Sequence, residues 1–216
     1  MIQHGEESEP VEQRGTQRYR WVFIGVGALI LGLLVGWLLI NFVVGPYSYH
    51  GTVIQSPDLA SNFTLTGRNG EPVSLRDFQG KAVLIYFGYT FCPDVCPATM
   101  VELAKANELL GDEARKAQVM MISVDPARDT PELLHDYVTH FDPAFIGVTG
   151  SEDEVASAAT PFGIFYEKHE GTAATGYLID HTASVVVVDP EGYLRLVYPF
   201  NTPGEEIAED IMHLVN

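Results

Sequence analysis

The chain has 216 residues, of which 12 are Lys or Arg and 29 are Asp or Glu, and its formal net charge is −17 at pH 7. This balance excludes a nucleic-acid-binding function, because contacts to phosphates require a basic surface. A charge of this sign keeps a domain soluble and favours a cationic partner. The chain contains only two cysteines, so a framework of several disulfides is excluded as well.

The first predicted element is a membrane-spanning helix. Residues 21–44 contain no charged side chain, and a helix rising about 1.5 Å per residue over this length crosses the ~30 Å hydrocarbon core. Three arginines lie within residues 1–20, and no Lys or Arg follows the run until Arg68. The positive-inside rule therefore predicts a cytoplasmic tail at residues 1–20 and an exported remainder. Four glutamates in the tail disfavour a mitochondrial transit peptide. We expect a single-pass protein of a bacterial inner membrane, with its C-terminal domain in the periplasm.

A tether and a β-hairpin follow the predicted span. Residues 45–57 contain two glycines and two prolines, and we interpret them as a tether to one domain formed by residues 58–216. The domain opens with residues 63–66, which alternate between apolar and polar side chains. A turn at residues 67–70 leads into a second short strand at residues 72–75. The pattern predicts an N-terminal β-hairpin.

The remaining elements alternate between strands and helices. Two continuous apolar runs, Ala82–Gly88 and residues 119–124, are typical of neighbouring parallel strands in the middle of a sheet. The other predicted elements are helices at 98–110 and Pro131–Phe141, a strand at 145–148, a helix opened by a capping box at Ser151, a hairpin of strands at 184–188 and 194–198, and a closing helix at 203–215. This order predicts an α/β protein with a thioredoxin-like fold, in which a mixed central sheet is flanked by helices and the N-terminal hairpin is an extension.

The two cysteines are the strongest functional signal. Cys92 and Cys96 follow the strand Ala82–Gly88 and precede the predicted helix, and a helix start lowers the pKa of a thiol. Residues four apart share a helix face, so both sulfurs can meet one metal ion or each other. We expect a metal site or a redox-active pair that forms a reversible disulfide. A merely stabilising disulfide is the alternative. In an oxidising compartment the pair needs a dithiol reductant to stay functional.

His181 is the candidate for a third metal ligand. It lies in the segment DHTAS at residues 180–184, directly before the apolar run Val185–Val188, and in a thioredoxin-like fold the loop that enters this strand lies opposite the cysteine helix. Two thiolates and one imidazole form a coherent set for copper or zinc, and thiolates favour Cu(I). The other histidines are assigned to the tail (His4), the tether (His50), a loop (His169) and surface helices (His135, His140, His213).

Three stretches of the chain resemble the SCO/SenC family of membrane-anchored copper chaperones for cytochrome c oxidase assembly. They are YFGYTFCPDVCP at residues 86–97, SVDPARDTP at residues 123–131 and DHT at residues 180–182. The resemblance covers roughly residues 58–216 and the preceding anchor. It implies a thioredoxin-like copper protein that delivers its metal to the binuclear copper centre in subunit II of the oxidase.

The resemblance also implies roles for individual residues. Cys92, Cys96 and His181 would bind copper, and Asp125 would support the site, although the sequence around Asp125 is equally typical of a turn and helix cap. Relatives often carry His where this chain has Phe91. The chain therefore lacks an accessory donor at that position, while the three proposed ligands are unaffected.

Three alternatives stay open at this point. The cysteine pair could make the protein an enzyme, a periplasmic thiol–disulfide reductase that keeps the copper-ligand cysteines of the oxidase reduced. A peroxiredoxin-like peroxidase would use Thr90 beside Cys92 and would need an arginine near the nucleophile, for which Arg128 is the candidate. A redox or metal sensor without catalytic activity is the third.

Overall fold

The computed structural model describes residues 14–43, 45, 47–55, 58–172 and 176–216 of the chain. The chain divides into two compact units, Met1–Ser48 and Tyr49–Asn216. In its described part, the first unit contains one helix, α1 (Arg14–Val43). The stretch Tyr19–Phe42 of this helix is long and apolar enough to cross a membrane, judged by length and composition. This agrees with the prediction of one N-terminal span. Most of the predicted tail and residue 44 lie outside the described residues.

The second unit contains ten strands and four α-helices within the described residues. In chain order the elements are β1 (Thr52–Val53), β2 (Thr64–Thr66), β3 (Pro72–Ser74), β4 (Ala82–Gly88), α2 (Val95–Leu110), β5 (Ala117–Ser123), α3 (Pro131–Phe141), β6 (Ile146–Val148), α4 (Glu152–Ala159), β7 (Tyr166–Glu170), β8 (Tyr177–His181), β9 (Val185–Val188), β10 (Leu194–Tyr198) and α5 (Gly204–Leu214). The spatial order in the main sheet is β1, β10, β9, β4, β5, β6.

Strand β4 lies at the centre of this sheet. It pairs parallel to β5, with Ala82 opposite Ala117 and Gly88 opposite Ser123, and antiparallel to β9. All seven residues of β4 are buried, which explains why the sequence shows a continuous apolar run instead of an alternation. Strands β5, β4, β9 and β10 with the intervening helices form the thioredoxin-like fold that the sequence predicted. Because β4 is a central strand, the cysteine loop that follows its carboxyl end lies at the centre of one end of the main sheet.

The predicted N-terminal hairpin is present. Strands β2 and β3 pair antiparallel in a separate two-stranded sheet. The connecting turn places Asn69 (φ 59°) and Gly70 (φ 79°) in the left-handed region, which Asn and Gly adopt more readily than other residues. Backbone hydrogen bonds of 2.7 and 2.9 Å between Thr66 and Thr149 attach the hairpin to the segment that follows β6.

The structure differs from the predicted tether from Tyr49 onwards. Strand β1 pairs with β10 at the edge of the main sheet, and its two residues are too few to show any periodicity in the sequence. Asp210 of α5 is fully buried and accepts hydrogen bonds from the backbone amides of His50 (3.0 Å) and Gly51 (2.9 Å). The hydroxyl of Tyr198 donates to the same carboxylate at 3.1 Å. The folded domain therefore begins near Tyr49 and includes His50, which was assigned to the tether.

The hairpin formed by β7 and β8 was not predicted. His169, assigned to a loop, lies in β7 opposite Leu178 of β8, and its Nε2 is 3.2 Å from Asp180. Strand β7 is polar and largely exposed, so it lacks the alternation of apolar and polar residues that indicates a strand. The two strands form a sheet of their own, apart from the main sheet. This hairpin carries the predicted ligand His181.

Candidate metal centre

The loop between β4 and α2 carries both cysteines. Helix α2 begins at Val95, earlier than the predicted start near residue 98. Pro97 fits its first turn, because the first amides of a helix have no partner within the helix and proline has no N–H to leave unbonded. Cys96 therefore lies in the first turn, where it is buried, whereas Cys92 precedes the helix and is half-buried. The backbone N–H of Cys96 donates to the sulfur of Cys92 at 3.4 Å.

His181 reaches the same place from the end of strand β8. The sequence predicted that His181 lies in the loop that enters β9. In the structure His181 is the last residue of β8, and this loop follows it. Its Nε2 lies 3.4 Å from the sulfur of Cys96, and its Nδ1 lies 3.3 Å from the carbonyl oxygen of Thr182. A carbonyl oxygen only accepts, so Nδ1 carries the proton and the lone pair of Nε2 faces the sulfurs. The rings of Tyr86 and Tyr89 meet the imidazole edge-on at 5.9 Å.

The ligand atoms of Cys92, Cys96 and His181 all lie within 4.8 Å of one another. In the described part of the chain, no other group of three or more His, Cys, Asp or Glu side chains has this arrangement. Both cysteines are free thiols, so the reversible disulfide stays a prediction. The structure thus brings together the three residues that the sequence predicted as ligands.

The two sulfurs differ in their electrostatics. A hydrogen bond between the thiols lowers the pKa of Cys92 far below its usual range, and hydrogen bonds from the backbone amides of Asp94 and Cys96 contribute in the same direction. The same hydrogen bond, together with burial, raises the pKa of Cys96 above its usual range. Cys92 therefore loses its proton more readily than Cys96, which holds its proton more strongly. A metal ion that binds both sulfurs must displace that proton.

A buried carboxylate that the sequence analysis missed supports the cysteine loop. Asp129 is fully buried and accepts hydrogen bonds from the backbone amide of Thr90 (3.0 Å), from the hydroxyl of Thr90 (2.5 Å) and from the hydroxyl of Ser123 (2.6 Å). Thr90 lies two residues before Cys92, so these bonds fix the entry into the loop. The sequence contained a signal for this role of Asp129, because an acidic residue follows closely after the buried strand β5.

Asp125 contacts the strand of His181 and not the ligand itself. Its carboxylate accepts hydrogen bonds from the hydroxyl of Tyr177 at 2.5 Å and from Nε of Arg128. Tyr177 is the first residue of β8 and His181 is the last. Any support that Asp125 gives to the site therefore acts through this strand.

The two groups that a peroxidase would use have other partners. The hydroxyl of Thr90 donates to Asp129. Arg128 binds Asp125 and donates from Nη1 to the carbonyl oxygen of Tyr177 at 3.1 Å. Both side chains thus hold the loops of the site in place, and these contacts do not favour the peroxidase alternative.

The comparisons with known proteins agree with this site. A family model described as SCO1/SenC matches residues 52–216. The chain belongs to the SCO1/SenC family. Over 189 residues it is 33% identical to an SCO2-like protein of Rickettsia felis, and the match covers 85% of this chain and 89% of that protein.

Two solved structures of family members share the fold. Apo Sco1 from Thermus thermophilus is 40% identical, with a TM-score of 0.71, over 79% of this chain and 99% of that one. ScoI of Bradyrhizobium japonicum with copper bound is 35% identical, with a TM-score of 0.66, over 73% of this chain and 99% of that one. A relative of this chain therefore binds copper. This chain itself has a Cys–Cys–His group that could hold a metal ion.

Proposed function

We propose that this protein is a membrane-anchored copper chaperone that delivers copper to the binuclear centre in subunit II of a haem–copper oxidase. The observation that carries the proposal is the convergence of Cys92, Cys96 and His181 within 4.8 Å in a chain of the SCO1/SenC family. Helix α1 would anchor it in a bacterial inner membrane with the second unit in the periplasm, as the distribution of basic residues around the apolar run predicts.

Copper transfer would proceed by ligand exchange. Two thiolates hold Cu(I), whereas Cu(II) depends more on the imidazole. Three protein ligands leave a coordination position open, so a thiolate of the acceptor can bind the copper before Cys92 or Cys96 leaves. The structure supports this order, because Cys92 is half-exposed and the pKa of its thiol is lowered. The Nε2 lone pair of His181 faces the sulfurs without a change of tautomer.

The direct experiment measures copper binding to the full-length protein in detergent, reduced and free of oxygen. We expect one Cu(I) per chain in competition with a strong chelator. Cys92→Ser and Cys96→Ser should lose tight binding while the fold is retained, since a hydroxyl is a poor ligand for Cu(I). Stoichiometric Cu(I) in Cys96→Ser would overturn the assignment of two sulfur ligands.

One observation favours a second function, that of a thiol–disulfide reductase. A half-buried thiol of lowered pKa next to a buried thiol of raised pKa is typical of an attacking and a resolving cysteine. The Cys92 thiolate would attack a disulfide of the acceptor, forming a mixed disulfide and releasing one acceptor thiolate. Cys96 would then lose its proton and attack the Cys92 sulfur, which releases the second acceptor thiolate and leaves a Cys92–Cys96 disulfide. A periplasmic dithiol would supply two electrons to reduce it.

Trapping of the intermediate tests this second function. In Cys96→Ala the resolving sulfur is absent, so a disulfide-bonded peptide with the copper-ligand sequence of subunit II should stay attached to Cys92. Mass spectrometry of the non-reduced protein detects the adduct. Cys92→Ala is the matched control and should trap nothing. Equal trapping by both variants would contradict the assigned roles of the two sulfurs.

A further inference from the structure

The strand that carries His181 is held by side chains and not by the main sheet. Strands β7 and β8 pair only with each other among the described residues. No ladder of backbone hydrogen bonds in that part of the chain therefore fixes β8 relative to the cysteine loop. The distance of 3.4 Å between Nε2 of His181 and the sulfur of Cys96 depends on other contacts.

Several of these contacts involve Tyr177, at the opposite end of β8 from His181. The hydroxyl of Tyr177 donates to Asp125 at 2.5 Å, and its carbonyl oxygen accepts from Nη1 of Arg128 at 3.1 Å. Its ring centroid is 3.6 Å from the guanidinium carbon of Arg128 and 3.6 Å from Nζ of Lys168. Burial and the hydrogen bond with Asp125 raise the pKa of Tyr177 to about 12, so the hydroxyl remains a donor at neutral pH.

Arg128 connects this strand to the cysteine loop. Its guanidinium carbon lies 4.8 Å from the ring centroid of Phe91, the residue before Cys92, and 5.8 Å from that of Tyr89. The hydroxyl of Tyr89 accepts a hydrogen bond from the backbone amide of Ile179, in the middle of β8, at 3.2 Å. Cation–π attraction holds an arginine over the face of an aromatic ring at such distances. One guanidinium thus contacts both the loop of Cys92 and the strand of His181.

We propose that Tyr177, bound by Asp125 and Arg128, is a positioning residue that holds His181 at copper-binding distance from the cysteines. Phe91, where relatives often carry His, contributes a ring to the same set of contacts. When these contacts are present, the site offers two sulfurs and one nitrogen. When they are removed, strand β8 moves away and the site offers two sulfurs alone. The inference rests on the proposed copper site and adds to it a set of residues that makes the nitrogen ligand available.

The test compares two variants of the full-length protein with a matched control. Tyr177→Phe removes only the hydroxyl bond to Asp125, and Tyr177→Ala also removes the ring. Tyr193 is the control, because it is a half-buried tyrosine with Arg195 over its ring at 5.8 Å. Its backbone amide is bonded to Asp189, at the turn between β9 and β10. Near-ultraviolet circular dichroism checks that each variant is folded.

Replacement of residues that orient a metal ligand costs about 10–100-fold in affinity. We therefore expect Tyr177→Ala to lose at least about tenfold in Cu(II) affinity, with weaker sulfur-to-copper charge-transfer absorption, while Cu(I) affinity changes less because two sulfurs suffice for that ion. Tyr177→Phe should lie between Tyr177→Ala and the parent, and Tyr193→Ala should match the parent. Unchanged Cu(II) affinity in Tyr177→Ala, or equal losses for both ions, would overturn the proposal.

A measurement without copper separates this proposal from the proposed function. The amide of Ile179 should exchange with deuterium faster in Tyr177→Ala than in the parent, because its bond to Tyr89 depends on the position of β8, whereas amides of β4 should keep their protection. If the parent binds no copper, the proposed function fails but this exchange experiment still decides whether Tyr177 holds β8. Unchanged exchange at Ile179 would contradict the positioning role.

Discussion

Replacement of Asp129 with Ala tests how much the buried hydrogen bonds behind the cysteine loop stabilise the protein. The variant removes the acceptor of three hydrogen bonds, two from Thr90 and one from Ser123. A hydrogen bond to a charged group contributes about 1.5–3 kcal/mol, and a buried donor left without a partner costs about 1–3 kcal/mol. The two bonds from Thr90 are not independent, so we expect a total loss of at least about 3 kcal/mol.

The assay is thermal unfolding followed by near-ultraviolet circular dichroism in detergent. For a domain of this size, each kcal/mol lowers Tm by about 2–4 °C, so Tm should fall by about 6–12 °C or more. Asp94→Ala is the matched control, because Asp94 lies in the same loop, is exposed and makes no side-chain cap to α2. It should change stability by no more than about 0.5 kcal/mol. A loss below about 1 kcal/mol in Asp129→Ala would refute the reasoning.

Three further predictions concern the sulfurs and the tyrosine beside them. Iodoacetamide should modify Cys92 before Cys96. Because the pKa of Cys92 is lowered, the rate at which Cys92 is modified should stay constant as pH falls from about 8 to 6, whereas an ordinary thiol reacts about tenfold more slowly for each pH unit. A slowing of that size at Cys92 would contradict the lowered pKa. Air oxidation should join the two residues in a reversible disulfide, so two free thiols by thiol counting after oxidation would count against their pairing. Tyr86→Phe should lower Tm by no more than about 6 °C, because the buried hydroxyl contacts Cys96 and Thr99 and a hydrogen bond between neutral groups contributes only about 0.5–1.5 kcal/mol; a larger fall would contradict this.

The sequence was sufficient to predict those elements whose pattern of apolar residues reflects their burial. Strands β4 and β5 are buried along almost their whole length, and the resulting apolar runs predicted the central sheet and the thioredoxin-like fold. The cysteines could be found because two sulfurs at helical spacing follow a buried strand. His181 could be selected by its position before β9 and by the resemblance to the SCO/SenC family.

The sequence was insufficient where contacts join distant segments. Strand β7 is polar on both faces, so no periodicity indicated the β7–β8 hairpin. Cys96 and His181 are 85 residues apart, and their approach depends on how this unpredicted hairpin is held. The partners of Asp129 and Tyr177 depend on the same three-dimensional arrangement, which explains why neither residue was identified as part of the site.

The most direct test of the copper site is Cu(II) binding by His181→Ala in the full-length protein. The matched control is His169→Ala, because His169 lies on the same hairpin, is exposed and pairs with Asp180. We predict that His181→Ala loses Cu(II) binding and its charge-transfer absorption, while Cu(I) affinity falls less and the dithiol still oxidises and reduces. His169→Ala should behave like the parent. If His181→Ala binds Cu(II) as tightly as the parent, the three-ligand copper site is wrong, and the thiol–disulfide reductase becomes the better account.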